Sequence, residues 1–201
     1  LRLREELADM IVHDLRNPLS NIQNALEILQ DPDMADVGDE VIQIAQTSAS
    51  RMMKLINAIL EIGRLEAEHV DLQREIIPIR AFIEAMTHEA SVSRQDVRIE
   101  LDIPATIPAL WVDPAIAMRI IDNLMSNALK FARSPSGLIR ITAAQENAWV
   151  EICVYNNGPH IPPGLKQHLF HKFVTGESKG RGYGLGLAFC QLAVKAHGGR
   201  I

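Results

Sequence analysis

Two apolar stripes at helical spacing, parted by a proline, constrain this chain more than any other feature of its sequence. Leu7, Ile11, Leu15, Ile22, Leu26 and Leu29 recur at intervals of three, four or seven residues, which keeps them on one helix face. Asp31-Pro32-Asp33 ends that helix, because proline cannot continue the hydrogen-bond ladder and disfavours helix in the residue before it. A polar stretch follows to about Asp39. Val41, Ala45, Ser48, Met52, Leu55, Ile59 and Ile62 then step alternately by four and three, the seam of a coiled coil. Neither helix can bury its stripe alone. The short connection favours an antiparallel hairpin, and two hairpins from two chains would close a four-helix bundle, so a homodimer through the hairpin is expected.

The texture changes after about Glu68. Val97, Ile99, Leu101 and Ile103 alternate with Arg98, Glu100 and Asp102, the pattern of a half-buried strand. Leu138–Ala143 and Ala148–Tyr155 read as two further strands around a polar hairpin turn, Ala144-Gln145-Glu146-Asn147. Helical segments are expected near Ile79–Ala90, Pro114–Ala132 and Leu185–Ala196. This mixed order predicts an α+β layer, one sheet covered by helices on one face.

Several function classes recede on composition. The formal net charge of −5 and the lack of a basic stripe weigh against nucleic-acid binding. No apolar run approaches the roughly 20 residues that span a bilayer, so no membrane contact is expected of this stretch. The opening Leu1-Arg2-Leu3-Arg4-Glu5-Glu6 is no signal peptide, and the missing initiator Met suggests a segment of a longer protein, with room for a membrane anchor outside this stretch. Cys153 and Cys190 lie in apolar segments and are expected to be buried thiols of a reducing, cytoplasmic compartment. Trp111 and Trp149 read as core or strand-packing residues, and His168 with His171 as a surface pair, since no further ligand stands at metal spacing.

Four segments carry candidate chemistry. In His13-Asp14-Leu15-Arg16-Asn17-Pro18-Leu19-Ser20, Leu15 and Leu19 follow the buried stripe while His13 and Asp14 fall towards solvent. Pro18 inside a helix costs about 3 kcal/mol, which invites a functional explanation for its place beside an exposed His and Asp. Asn123, Asn127 and Lys130, spaced four and three apart, share a helix face able to hold hydrated Mg²⁺ and phosphate oxygens. Asn156-Asn157-Gly158-Pro159-His160-Ile161-Pro162 reads as a sharp turn after a strand. Gly180-Arg181-Gly182-Tyr183-Gly184-Leu185-Gly186-Leu187 leads into a helix, whose free N–H groups suit an anion, although no P-loop lysine follows.

In that order these segments closely resemble the bacterial sensor histidine kinases of two-component systems, over nearly the whole chain. His13–Leu19 is similar to the phosphoacceptor box, Asn123–Lys130 to the asparagine box and Asn156–Ile161 to the first glycine box. Leu169-Phe170-His171-Lys172-Phe173 is similar to the phenylalanine box and Gly182–Leu187 to the second glycine box; His197-Gly198-Gly199 also fits. The resemblance implies a dimerising phosphoacceptor hairpin over residues 1–68. It further implies an ATP-binding α/β sandwich of the histidine kinase, Hsp90 and gyrase type over residues 69–201.

It also implies roles. His13 attacks the γ-phosphorus through one ring nitrogen while Asp14 accepts or orients the proton on the other. Asn127, assisted by Asn123, holds Mg²⁺; Lys130 contacts phosphate and Phe131 packs near adenine. Asn156, Gly158, Ile161, Phe173, Arg181, Gly182, Tyr183, Gly184, Leu185, Gly186 and Leu187 complete the nucleotide site, with a lid from about Val174 to Arg181. The phosphoryl group passes on to an aspartate of a response regulator receiver domain. Asp14 and Asn17 match a pattern that supports the reverse phosphatase activity.

This chain departs from the family at several points. Asn156 replaces the usual Asp that accepts a hydrogen bond from the adenine amine, and His160 replaces the box's second glycine, a change expected to crowd the pocket or alter the turn. Val174 and Thr175 stand where an arginine often follows the phenylalanine box, leaving Arg181 or Lys179 to substitute. The chain stops at Ile201, before the family's final strand pair, so the sheet is expected to lack its last strands. A scaffold that binds ATP without transferring phosphate is the competing reading these changes motivate. An ATPase relative is disfavoured, since it needs a water-activating Glu where Asn123 stands and an amide is no general base. A pure dimerisation hairpin leaves the His-Asp pair beside Pro18 unexplained.

Overall fold

The computed structural model describes residues 2–30, 36–67, 71–94, 96–133, 135–174 and 183–201. The expected helix break at Asp31-Pro32-Asp33, the lid from Thr175 to Arg181, and Gly182 lie outside the described residues. The chain divides into two compact units, Leu1–Gly63 and Arg64–Ile201.

The first unit contains helix α1 (Arg2–Leu29) and most of helix α2 (Gly38–Glu66), whose last turn belongs to the second unit. The α2 stripe is buried as its spacing predicts: Val41, Ser48, Leu55 and Ile62 are buried, and Ala45, Met52 and Ile59 half-buried. Among the described side chains of α1, Pro18 and Ala25 are buried, whereas Leu19, Leu26 and Leu29 of the expected stripe are exposed. A cavity of about 110 Å³ lined by Ala25, Ile28, Val41 and Ile44, among others, marks where the two helices face each other as a hairpin. α1 continues through Pro18 without a break.

The second unit is the expected α+β layer. Strand β2 (Val97–Asp102) pairs in parallel with β4 (Gly137–Glu146), and β4 pairs antiparallel with β5 (Trp149–Asn156), giving the order β2-β4-β5. Helices α3 (Ile79–Ser93) and α4 (Pro114–Phe131) cover one face. Ile79 and Ile83 of α3 and Ile121, Met125 and Ala128 of α4 form one core with Val97, Ile139, Ile141 and Ala143 of the sheet. Leu101, expected to face inward, is 37% exposed on the edge strand β2. The hairpin turn is tighter than its polar residues suggest. Ala144, Gln145 and Glu146 stay in β4, Glu146 pairs with Trp149, and only Asn147 and Ala148 turn, Asn147 at φ 55°.

The sequence reading had no place for strands β1 (Glu75–Ile77) and β3 (Leu110–Val112), an antiparallel pair, or for the short helix α5 (Pro163–Lys166). Both tryptophans lie on strands but on open faces: Trp111 is 65% and Trp149 54% exposed, and the Arg74 guanidinium stacks 5.0 Å from the Trp111 ring. Cys153 corrects a second expectation. It shares the outward row of β5 with Trp149, Glu151 and Tyr155 and is exposed, while Cys190 is buried in helix α6 (Gly186–Ala196). Its hydrogen bond to the Glu151 carboxylate (3.2 Å) holds the Cys153 thiol above its ordinary pKa, and burial pushes Cys190 up to about 12. Both are therefore poor nucleophiles at neutral pH.

Asp113 fixes the start of α4. Its buried carboxylate accepts from the backbone N–H groups of Ala115 (3.0 Å), Ile116 (3.1 Å) and, across the unit, Gln73 (3.0 Å). The Asp113 N–H in turn donates to His197 Nε2 (3.0 Å), so His197 carries its proton on Nδ1, which donates to the Ala193 carbonyl (2.8 Å). One carboxylate thus ties the N-termini of α4 and β1 together while its own amide reaches the end of α6. Asp113→Ala leaves these donors unpaired and is expected to destabilise the protein by about 2–3 kcal/mol, read as a lower urea midpoint with an unchanged slope.

Candidate active site

α4 carries the asparagine face. Asn123, Asn127 and Lys130 are all half-buried, and the Lys130 ammonium lies 4.8 Å from the centroid of the Phe131 ring. Asn123 Nδ2 donates to the Arg119 carbonyl (2.8 Å), which directs Oδ1 away from the helix backbone. That oxygen points at Gly186: a Cβ there would come within 2.6 Å of it. Only glycine lets the first turn of α6 approach Asn123 so closely. Arg119 stacks on Phe189 of α6 at 4.4 Å and holds the same two helices together. Asn127 has no protein partner for its amide among the described residues.

The turn after β5 closes the other end of this face. Gly158 sits against the Phe131 carbonyl, where any Cβ would overlap backbone. Asn157 locks the turn: its Oδ1 accepts from Leu138 N (3.0 Å) and Arg133 N (3.2 Å), and its Nδ2 donates to the Ser136 carbonyl (2.9 Å). The sequence reading passed over Asn157, although two adjacent asparagines before a glycine signal one that serves the turn. His160 and Ile161 lie exposed beyond it.

The glycine-rich segment enters α6 through Tyr183, Gly184 and Leu185. Gly184 has φ +66° and packs against the backbone of Phe173 and Val174, while its carbonyl accepts from Phe173 N (2.9 Å). Phe173 itself sits at φ 63°. This bridge joins the two edges of the segment that contains Arg181. Leu185 is buried at the N-cap of α6 and makes no side-chain capping hydrogen bond, so its own side chain leaves the first N–H groups of that helix to other acceptors. The preceding Lys172 pairs with both carboxylate oxygens of Glu66 at 2.6 Å.

Asn123 meets Gly186 where α4 faces the start of α6, and Phe131 meets Gly158 and Asn156 where α4 ends against the β5 turn; Asn127 and Lys130 lie on α4 between these two contacts, and this face is the candidate nucleotide hollow. Carboxamide oxygens, an ammonium and free helix N–H groups suit a polyphosphate with its cation, and magnesium favours such oxygen donors while keeping waters. Among the described residues no group of three His, Cys, Asp or Glu side chains forms a metal site. His13, Asp14 and Asn17 belong to the other unit. There the His13 side chain is 70% exposed, and its Nδ1 lies 3.1 Å from Asp14 Oδ1. Asn17 is exposed one turn further along α1. No described helix is long and apolar enough to cross a membrane.

A histidine-bearing helical hairpin joined to a helix-covered sheet with a polar hollow is the pattern of a phosphotransfer protein. Comparison with known proteins specifies it. Residues 3–68 match the family described as His Kinase A (phospho-acceptor) domain, and residues 112–201 match the histidine kinase-, DNA gyrase B- and HSP90-like ATPase family. The chain belongs to the sensor histidine kinases. The adaptive-response sensory kinase SasA of Trichormus variabilis is 29% identical over the full chain, which covers 54% of that protein. The sensor protein KdpD of Escherichia coli is 31% identical, again over the full chain and over 23% of that protein. The chain thus spans about half, or less, of these curated relatives. The solved structure of the Acinetobacter baumannii histidine kinase AdeS shares the fold, with a TM-score of 0.74 at 19% identity over 92% of this chain and 86% of that one.

Proposed function

We propose that this chain is the autokinase core of a two-component signalling protein, with residues 1–68 as phosphoacceptor hairpin and 69–201 as catalytic domain. The observation that carries the reading is the His13–Asp14 pair. With Asp14 facing Nδ1 at 3.1 Å, the ring proton is held on Nδ1, and the lone pair of Nε2 is free in solvent. Nε2 attacks the γ-phosphorus of ATP, a nitrogen–phosphorus bond forms as the bond to the β,γ-bridging oxygen breaks, and ADP leaves. Asp14 keeps the imidazole oriented and offsets the charge it gains.

The catalytic unit supplies positioning. Asn127 and the Asn123 carboxamide would hold Mg²⁺, Lys130 the phosphates, and Phe131 the adenine; Asn156 faces the base. Mg²⁺, when bound, neutralises phosphate charge. Loose phosphoryl-transfer transition states depend on such placement and charge more than on covalent help from the protein. The acceptor of the phosphoryl group is an aspartate on a response regulator receiver domain. Exposed Leu19, Leu26, Ile42, Met53 and Leu60 on the hairpin favour a second copy completing a four-helix bundle.

Incubation with γ-labelled ATP and Mg²⁺, with nucleotide binding measured on the same sample, tests the reading. Acid-labile, base-stable label on the chain supports it. Bound ATP without label favours the scaffold instead. A reverse reaction, hydrolysis of the phosphorylated receiver, is assigned to Asn17, which shares the His13 face of α1. Asn17→Ala is expected to lower that hydrolysis by at least about tenfold and autophosphorylation by much less, both measured as rates of label loss and gain.

A further inference from the structure

Adjacent asparagines in the β5 turn have opposite fates. Asn157 spends both ends of its amide on the protein, accepting from Leu138 N and Arg133 N and donating to the Ser136 carbonyl. Asn156, half-buried at the last position of β5, has no protein partner for its amide among the described residues. Its Nδ2 lies only 2.7 Å from the place a Cβ would take on residue 158, and because that residue is glycine the space is empty. The Asn156 amide is therefore held by its backbone at the end of β5, yet no hydrogen bond to a described residue and no Cβ on residue 158 fixes which way its oxygen and nitrogen point.

That freedom bears on the choice of base. The Watson–Crick edge of a 6-aminopurine presents a donor at position 6 and an acceptor at N1; a 6-oxopurine presents the reverse. A carboxylate only accepts, so where it faces position 6 it matches the amine of the first and repels the carbonyl oxygen of the second. A carboxamide has one donor group and one acceptor side by side, and half a turn about its broad terminal torsion exchanges them. We infer that Asn156 relaxes base selection, so that the site accepts 6-oxopurine nucleoside triphosphates alongside ATP. This deepens the reading of Asn156 as the residue facing the base and rests on it.

The experiment is competitive binding of Mg²⁺–ATP and Mg²⁺–ITP to the full chain and to its Asn156→Asp variant. ITP isolates position 6, since hypoxanthine lacks the additional 2-amino group of guanine. The native protein should bind ITP within about tenfold of ATP, and Asn156→Asp should keep ATP while weakening ITP by about 10- to 100-fold. Asn156→Ala, which has neither donor nor acceptor, should weaken both nucleotides alike. Rejection of ITP by more than about 100-fold in the native protein overturns the inference, as does an ATP-to-ITP ratio that Asn156→Asp leaves unchanged. Should the Asp variant fail to fold, the native ratio decides alone. Failure of the native protein to bind either nucleotide overturns the nucleotide-site reading itself, a result distinct from selective binding of ATP.

Discussion

Replacing His13 with glutamine is expected to cut ATP-dependent labelling by at least about 10³-fold while nucleotide affinity stays as it was. Glutamine keeps a polar side chain at an exposed helical position and has nearly the helix propensity of its neighbours, so α1 should be undisturbed. What it lacks is a nitrogen lone pair able to attack phosphorus, because the amide nitrogen is delocalised into its carbonyl. Asp14→Asn separates orientation from nucleophilicity. Its amide can present an oxygen to Nδ1–H but cannot balance the positive ring that forms on transfer, so partial activity is expected, between the native rate and that of the glutamine variant. Acid-stable label surviving in His13→Gln would locate the acceptor elsewhere and overturn the assignment. Equal loss of ATP binding and label would instead mean that the substitution damaged the protein rather than the chemistry.

What could be read from the sequence divides along physical lines. The α2 stripe was legible because its four-three spacing runs over more than twenty residues, and every position named on it is buried or half-buried. On α1 the same reasoning found the face but mistook its centre: small Ala25 is buried, while Leu26 beside it is 53% exposed. Periodicity ranks hydrophobic residues, whereas helix packing selects those that fit. β1 and β3 escaped notice because strands of three residues have no period to detect, and β1 abuts Pro78. Cys153 was misplaced because the apolar run around it hides an alternation that appears only once β5 is laid against β4. The candidate site was legible as a set of motifs and their order. The roles of Asp113, Asn157 and His197 were not, since each depends on backbone groups of elements distant in sequence.

Gly158→Ala should have the largest effect of any glycine-to-alanine change among the described residues of the catalytic unit. The added Cβ would overlap the Phe131 carbonyl oxygen and stand 2.8 Å from its carbon and 2.7 Å from Asn156 Nδ2. Relief must come from one of two backbones, and both are pinned. The turn is held by Asn157, whose N–H donates to the Leu138 carbonyl (3.0 Å) and whose side chain binds three further backbone groups. The end of α4 is held by the Ala132 N–H on the Ala128 carbonyl (2.8 Å) and by the core beneath Ala128 and Met125. A loss of about 2–4 kcal/mol is expected, at the upper end for overpacking because neither neighbour is a flexible side chain. Nucleotide affinity should fall by at least about tenfold, since Phe131 and Asn156 move with whichever backbone gives way. Gly164→Ala is the matched control: nothing lies within 4 Å of a Cβ there, so the extra methyl should leave stability within about 0.5 kcal/mol and affinity unchanged. Equal, small effects of the two substitutions on urea midpoint and ATP affinity would mean that the Gly158 turn does not rest on α4, and that the hollow is built differently from the arrangement described.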